Sequence, residues 1–377
     1  MRIEALQTPC LVLDSTRMTR NLARLDARLR ALGVAARPHL KTCKSIEIAR
    51  LMMRDPGGPA CVSTLEEAER FATAGVRDIL YAVGITPNKL ARVIALRRSG
   101  VDLSVILDSP EQAASVARAS RESGERIPAL IEIDADGHRA GIAPGAACLV
   151  ETGRALHEDG AELRGVVTHA GGSYDRPGED TIAAAAEQER AAVVAAARTL
   201  RVAGLPCASV SVGSTPTAHF ARDLTGVTEV RAGVYVFHDL VMAGLGVAAI
   251  DDIAIGVLAS VIGHQREKGW ILVDAGWMAL SRDRGTATQA IDQGYGLVCD
   301  VAGRPYGDLV VRATNQEHGM LALRDGSCEA LPDLPVGALV RILPNHACAT
   351  AAQHAGYHVV GEDGATITAW WPRFGGW

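Results

Sequence analysis

ACVSTLEEAERFATAGVRDILYAVGITPNKLARVIALRRSGVDLSVIL, residues 60–107, decides the fold. Short β-branched runs at Ala60–Ser63, Ile79–Val83 and Asp102–Leu107 alternate with longer segments of helical pattern. In TLEEAERFATAG, Thr64 and Glu67 stand three residues apart, the spacing of a capping box, so a helix is expected to start there. Outward from this stretch the alternation continues. Further strands are expected at Ala35–His39, Ala129–Asp134, Gly165–His169, Ser209–Val212 and Glu229–Ala232, eight in all. A helix with Ser15 as N-cap and Gly33 as stop precedes the first strand. The longest helix, TIAAAAEQERAAVVAAARTLRVAG, is rich in alanine and closes at Gly204. Eight strands alternating with helices over roughly 230 residues suit a (β/α)8 barrel better than an open sheet.

Beyond Gly246 helical periodicity nearly vanishes. Ile253–Val261, Gly269–Val273, Leu309–Arg312, Met320–Leu323 and Ala338–Leu343 read as strands between Gly, Pro and Asp turns. The expected division is an α/β barrel over residues 14–245 and a β-rich domain over 246–377. Residues 1–13 join the second, because Leu11–Leu13 reads as a strand pairing there. No internal repeat is visible. The 377 residues, at about 150 per domain, agree with two domains.

Composition narrows the function. Hydrophobic residues make up 48% and charged residues 21%, a globular balance that excludes disorder. A net charge of -5 offers no basic field for nucleic acid or an anionic membrane. The opening MRIEALQTPC has no apolar core after its arginine, and no charge-free apolar stretch is long enough to span a bilayer. A cytoplasmic chain is expected. The eight cysteines include no C-x-x-C pair, so reduced, mostly buried thiols are expected rather than disulfides or a four-cysteine zinc cluster.

Reactive residues of such a barrel belong at the C-terminal ends of its strands. RPHLKTCK puts Lys41 just beyond the first strand, SVGSTPT puts Gly213, Ser214 and Thr215 beyond the seventh, and RAGVYVF puts Gly233 beyond the eighth. Loops after the last two strands are the usual phosphate site, where glycine admits close backbone approach and hydroxyls add donors. A phosphate cradle sharing a barrel mouth with an amine points to pyridoxal phosphate held as a Schiff base. In PNHACAT, an extended backbone would put His346 and Cys348 on one face, and imidazole with thiolate suits zinc better than magnesium or calcium. A third ligand is not evident; His354 and His358 are near in sequence only.

Taken in order, RPHLKTCKS, DADGHRAGI, THAGGSYDR, SVGSTPT, RAGVYVFHD, DAGWMALSRDRG, QEHG and PNHACAT resemble the D-serine dehydratase-like and D-threonine aldolase family, from Thr8 to about Tyr357. The resemblance implies an alanine-racemase-like barrel, a β domain and pyridoxal 5'-phosphate. It implies Lys41 as Schiff-base lysine and catalytic base, and Gly213, Ser214, Thr215, Gly233 and Tyr235 as phosphate contacts. Arg139 would face the cofactor's phenolic oxygen and Tyr174 would lie near its ring nitrogen. His39, Lys44 and His318 would line the pocket, with no role assigned to them.

His346 and Cys348 would hold Zn2+ or another divalent metal. The H-x-C spacing is similar to the dehydratase branch; aldolases carry H-C-D there. The implied reaction is β-elimination from a D-β-hydroxy amino acid, D-serine or D-threo-3-hydroxyaspartate, to a 2-oxo acid and ammonia. A second substrate carboxylate would need a further cation, for which Arg77, Arg282 and Arg284 are available. The alternatives are a metal-dependent aldolase giving glycine and an aldehyde and, more distantly, a non-catalytic pyridoxal phosphate carrier. A homodimer is also implied.

Overall fold

Pro38 marks the seam of a barrel. In the computed structural model, which describes residues 1–377, its carbonyl accepts from the Cys61 amide at 2.9 Å, and the Leu40 amide donates to the Cys61 carbonyl at 2.8 Å. On the opposite edge the Arg37 and His39 amides donate to Val230 and Ala232. The expected strand Ala35–His39 thus joins the two ends of a parallel sheet. Regular ladder covers only Ala35–Ala36, since proline has no N–H for the ladder.

Strands are numbered in chain order. After β1 (Cys10–Asp14) come β2 (Ala35–Ala36), β3 (Ala60–Val62), β4 (Asp78–Gly84) and β5 (Asp102–Leu107). Then follow β6 (Pro128–Ile133), β7 (Glu162–Thr168), β8 (Ser209–Val212) and β9 (Glu229–Val230). The order β2-β9-β8-β7-β6-β5-β4-β3, with the Pro38–Leu40 seam, is the expected eight-stranded barrel. It lies in a unit of Leu25–Gly233 with Gly375–Trp377. Cys61, Leu80, Ile106, Leu130 and Val167, one from each of β3 to β7, form one buried cluster. Each large side chain so buried contributes about 1.5–3 kcal/mol.

Local signals set the helix ends. Thr64 accepts from the Glu67 amide at the start of helix Leu65–Thr73, and Ser109 does the same for Gln112 ahead of Pro110. Gly124, at φ 71, closes that second helix in the left-handed conformation.

The other unit holds Met1–Arg24 and Val234–Phe374. Its strands after β1 are β10 (Ile255–Gln265), β11 (Trp270–Val273), β12 (Leu297–Cys299), β13 (Pro305–Thr314), β14 (Gly319–Leu323), β15 (Leu339–Leu343), β16 (Gly356–Val360) and β17 (Ile367–Pro372). Six close a ring, β10-β11-β14-β13-β12-β15 and back, from which β1, β16 and β17 extend. The 11 residues of β10 serve three neighbours, with β1 against Ile255–Leu258, β15 against Val257–Ser260 and β11 against Val261–Gln265 across a register shift between Val261 and Gly263. Leu11 pairs with Val257, so the N-terminal strand sits in this sheet. Residues 234–245, read from sequence as barrel, group with this unit. The Leu240 amide donates to Pro344, and Leu240 packs in a cluster with Ile253, Leu297, Cys299, Val310 and Leu343.

Candidate active site

Two lysines follow the seam, and the structure treats them differently. Lys44, in left-handed backbone at φ 42, has its Nζ 3.0 Å from the buried Glu67 carboxylate. Glu67 is itself held by the Ser63 amide and the Thr64 hydroxyl. Lys41 is exposed and makes neither hydrogen bond nor ion pair. Lys44 is therefore pinned, and Lys41 is the amine presented at the barrel mouth.

Two neutral histidines flank it. Burial lowers the pKa of His39, and the charges of Lys41, Arg231 and His169 press it further. His169, at the end of β7, is pushed down to about 3 by burial, with Lys41 adding to the effect against a hydrogen bond to Gly213. Its Nδ1 lies 2.6 Å from the Gly213 carbonyl. A carbonyl only accepts, so the proton is on Nδ1 and Nε2 is left as an acceptor. Neither histidine was assigned a role from sequence; His169 sits within THAGGSYDR, but nothing local shows that its ring turns to β8.

The loop after β8 is built on close approach. A Cβ at Gly213 would overlap the Arg231 carbonyl, so only glycine lets β8 and β9 run together there. The Gly213 amide donates to the Glu189 carboxylate at 2.9 Å, which also accepts from the Ala170 amide at 3.1 Å and the Thr217 hydroxyl at 2.8 Å. What Gly213 offers an anion is proximity, since its N–H is already committed. Ser214 caps the short helix Thr215–Phe220, accepting from the Thr217 amide, and its hydroxyl lies 2.9 Å from that of Ser173. The Thr215 Oγ1 is buried with no partner. Burying a hydroxyl unpaired costs about 1–3 kcal/mol, which marks Thr215 as a donor awaiting an acceptor. A Cβ at Gly233 would come within 3.0 Å of the His39 carbonyl and the Thr42 hydroxyl, so this glycine seats the β9 loop against the Lys41 turn.

Arg139 and Tyr174 lie on two interlocked loops. The Gly172 amide donates to Asp136 at 2.9 Å, and a Cβ at Gly171 would overlap the His138 ring. Arg139 is exposed, with one guanidinium nitrogen 3.1 Å from buried Glu132. The Tyr174 ring centre is 6.3 Å from that of His169. Tyr235 is buried in the turn Val234–Val236, two residues after Gly233. A free amine, an orphaned buried hydroxyl beside a capping serine, and an arginine at the rim fit a phosphate-bearing aldehyde cofactor. Lys41, Ser214 and Thr215 would hold it.

In the other unit the expected extended run through His346 is corrected. β15 ends at Leu343, His346 is the N-cap of helix Ala347–Ala351, and Cys348 lies in its first turn. The buried Asp239 carboxylate causes the turn, accepting from the Ala347 amide at 3.0 Å and from the Met242 amide. The two side chains still meet. Burial disfavours charge on His346, but hydrogen bonds with Asp283 and then Cys348 hold its pKa up to about 11. Nδ1 lies 2.9 Å from the Asp283 carboxylate, an orientation that leaves Nε2 toward Cys348. A divalent ion would displace the shared proton. Nitrogen with sulfur suits zinc. His354 is committed to the Ala279 carbonyl at 2.9 Å, and no cluster of three or more His, Cys, Asp or Glu forms. Asp283 was missed from sequence; it stands 63 positions from His346.

Comparison with known proteins follows this geometry. The model of the alanine racemase N-terminal domain matches residues 13–240, and that of a putative serine dehydratase domain matches residues 254–360. The D-threo-3-hydroxyaspartate dehydratase of Delftia sp. is 53% identical over 375 residues, covering 99% of this chain and 98% of that protein. The D-serine dehydratase of Dictyostelium discoideum is 32% identical, covering 98% of each. A solved variant of D-threo-3-hydroxyaspartate dehydratase, described as metal-free, superposes with a TM-score of 0.96 at 51% identity over 100% of both chains.

Proposed function

The chain belongs to the family that joins an alanine racemase N-terminal domain to a serine dehydratase domain, and from that premise we propose that it dehydrates D-β-hydroxy amino acids, D-threo-3-hydroxyaspartate or D-serine, to a 2-oxo acid and ammonia. The observation that carries the reading is the unpaired Lys41 amine beside neutral His39 and His169, with the buried, partnerless Thr215 hydroxyl at the same barrel mouth.

Pyridoxal phosphate, when bound, supplies the electron sink for charge left on the substrate's α-carbon. Lys41 takes the α-proton, being the one lysine of the seam not tied to a carboxylate. The neutral neighbours matter. Two unprotonated histidines donate no proton to Lys41 and add no second cation beside it. Ser214 and Thr215 orient the anionic end, and Glu189 behind them fixes the loops after β7 and β8. His346 and Cys348 would hold a divalent metal, zinc by donor type, which supplies Lewis acidity to a departing hydroxyl. Asp283 holds the His346 ring through its Nδ1.

The same reading takes the protein as a homodimer of the cytoplasm. All eight cysteines are free, which supports a reducing compartment. No helix is long and apolar enough to cross a membrane. The deciding experiment incubates the purified protein with D-threo-3-hydroxyaspartate, D-serine and D-threonine and measures ammonia, 2-oxo acid, glycine and aldehyde. Ammonia with oxo acid is expected; glycine with aldehyde would make it an aldolase.

A further inference from the structure

A substrate with a second carboxylate needs a cation, and the three arginines offered by the sequence have separate fates. Arg77 donates to the Ala72 and Val76 carbonyls in the barrel unit. Arg284 pairs with Asp292 at 2.7 Å and lies over the Tyr295 ring. Arg282 has no hydrogen bond and no ion pair; its guanidinium lies over the Trp277 ring, 4.3 Å from the centre. The segment carrying it wraps the His346–Cys348 pair. Thr350 donates to the Leu280 carbonyl at 2.8 Å, His354 to the Ala279 carbonyl, and Asp283 holds His346. Arg282 therefore sits between two anchor points, two residues after Leu280 and one before Asp283.

We infer that Arg282 reads the second carboxylate of a 3-hydroxy dicarboxylic amino acid, which sets this enzyme's preference among D-hydroxy amino acids. The inference rests on the dehydratase reading above. In 3-hydroxyaspartate the hydroxyl and the second carboxylate share one carbon, so a cation beside the seat that receives the hydroxyl is placed for the carboxylate. A guanidinium takes a carboxylate through two parallel N–H donors, and stacking on Trp277 fixes its plane beforehand. D-serine has hydrogen at that position. It leaves Arg282 in water at no desolvation cost, and so remains a poorer substrate rather than an excluded one.

The test uses the holoenzyme and its Arg282→Ala and Arg282→Lys variants. The ratio of kcat/KM for D-threo-3-hydroxyaspartate to that for D-serine is expected to fall about 10- to 100-fold in Arg282→Ala, the worth of a charge-assisted hydrogen bond. Lysine, a single-point cation, should restore it in part. Calorimetry with D-malate and 3-hydroxypropionate, the two substrates without their amine, reads the same site without turnover. D-malate binding should weaken by a similar factor relative to 3-hydroxypropionate. An unchanged ratio with unchanged D-malate affinity overturns the inference. If the wild type forms no oxo acid from either substrate, the dehydratase reading fails. Arg282-dependent D-malate binding would then still establish the carboxylate site, and its absence would remove both.

Discussion

Lys41 and Lys44 are three positions apart and chemically alike, yet only one is free. Lys41→Ala should abolish the visible absorbance of bound cofactor and lower turnover by about 10²–10⁴-fold, the usual share of a positioned acid–base group. Lys44→Ala should keep the absorbance while lowering stability, because it leaves the Glu67 carboxylate buried without its cation. Spectra and urea melts of the two variants check this. His169 gives a pH prediction. Its folded pKa of about 3 lies below the ordinary 6.5, so the unfolded chain takes up the proton first. The stability of the cofactor-free protein should fall as pH drops from about 6.5 toward about 3, and His169→Asn should flatten that slope in melts recorded across the range.

At the scale of elements, the helix Leu65–Thr73 tests how far local signals carry. Thr64 accepts from the Glu67 amide at 3.1 Å, and Thr64→Ala should cost about 1 kcal/mol in urea unfolding. That N-cap was legible because both partners lie within four residues, although the reciprocal half of the box does not form, the Glu67 carboxylate taking the Ser63 amide instead. Most of the barrel strands were legible for a similar reason, as short runs holding β-branched residues between helical segments, whereas AARPH at residues 35–39 holds none. In the second unit β12, with three residues, and β16 and β17 were not read as strands. β12 is too short for a period to show, while GYHVV and ITAWWP mix glycine, histidine and proline into their runs. The turn at His346 was read as extended because its cause, Asp239, stands 108 positions away from Ala347. Lys41, Ser214 and Thr215 could be placed from strand ends alone. The dedication of the Gly213 amide to Glu189 could not, since that carboxylate comes from the middle of a 24-residue helix.

For the whole molecule, the proposed reaction assigns Lys41 to one unit and the His346–Cys348 pair to the other. Chelation should leave the cofactor's absorbance intact while suppressing release of ammonia and oxo acid, and added zinc should restore it. Asp283→Asn should lower metal affinity by about 10- to 100-fold, read by competition with a chromophoric chelator, because it removes the group that orients His346. Full dehydration by metal-depleted protein would limit His346 and Cys348 to a structural part.

The seam at Pro38 bears on how the protein is made. β2 rests on β9 along one edge and meets β3 on the other, so the turn bearing Lys41 has only half its walls until residues near Val230 have left the ribosome. Thr215 and Gly233 emerge in the same late interval. A nascent chain halted after β7 would carry the amine with no anchor for the vitamin. On the proposed assignment of Lys41 and Thr215, loading waits for completion of the circle, and prematurely terminated products would not sequester the cell's pyridoxal phosphate.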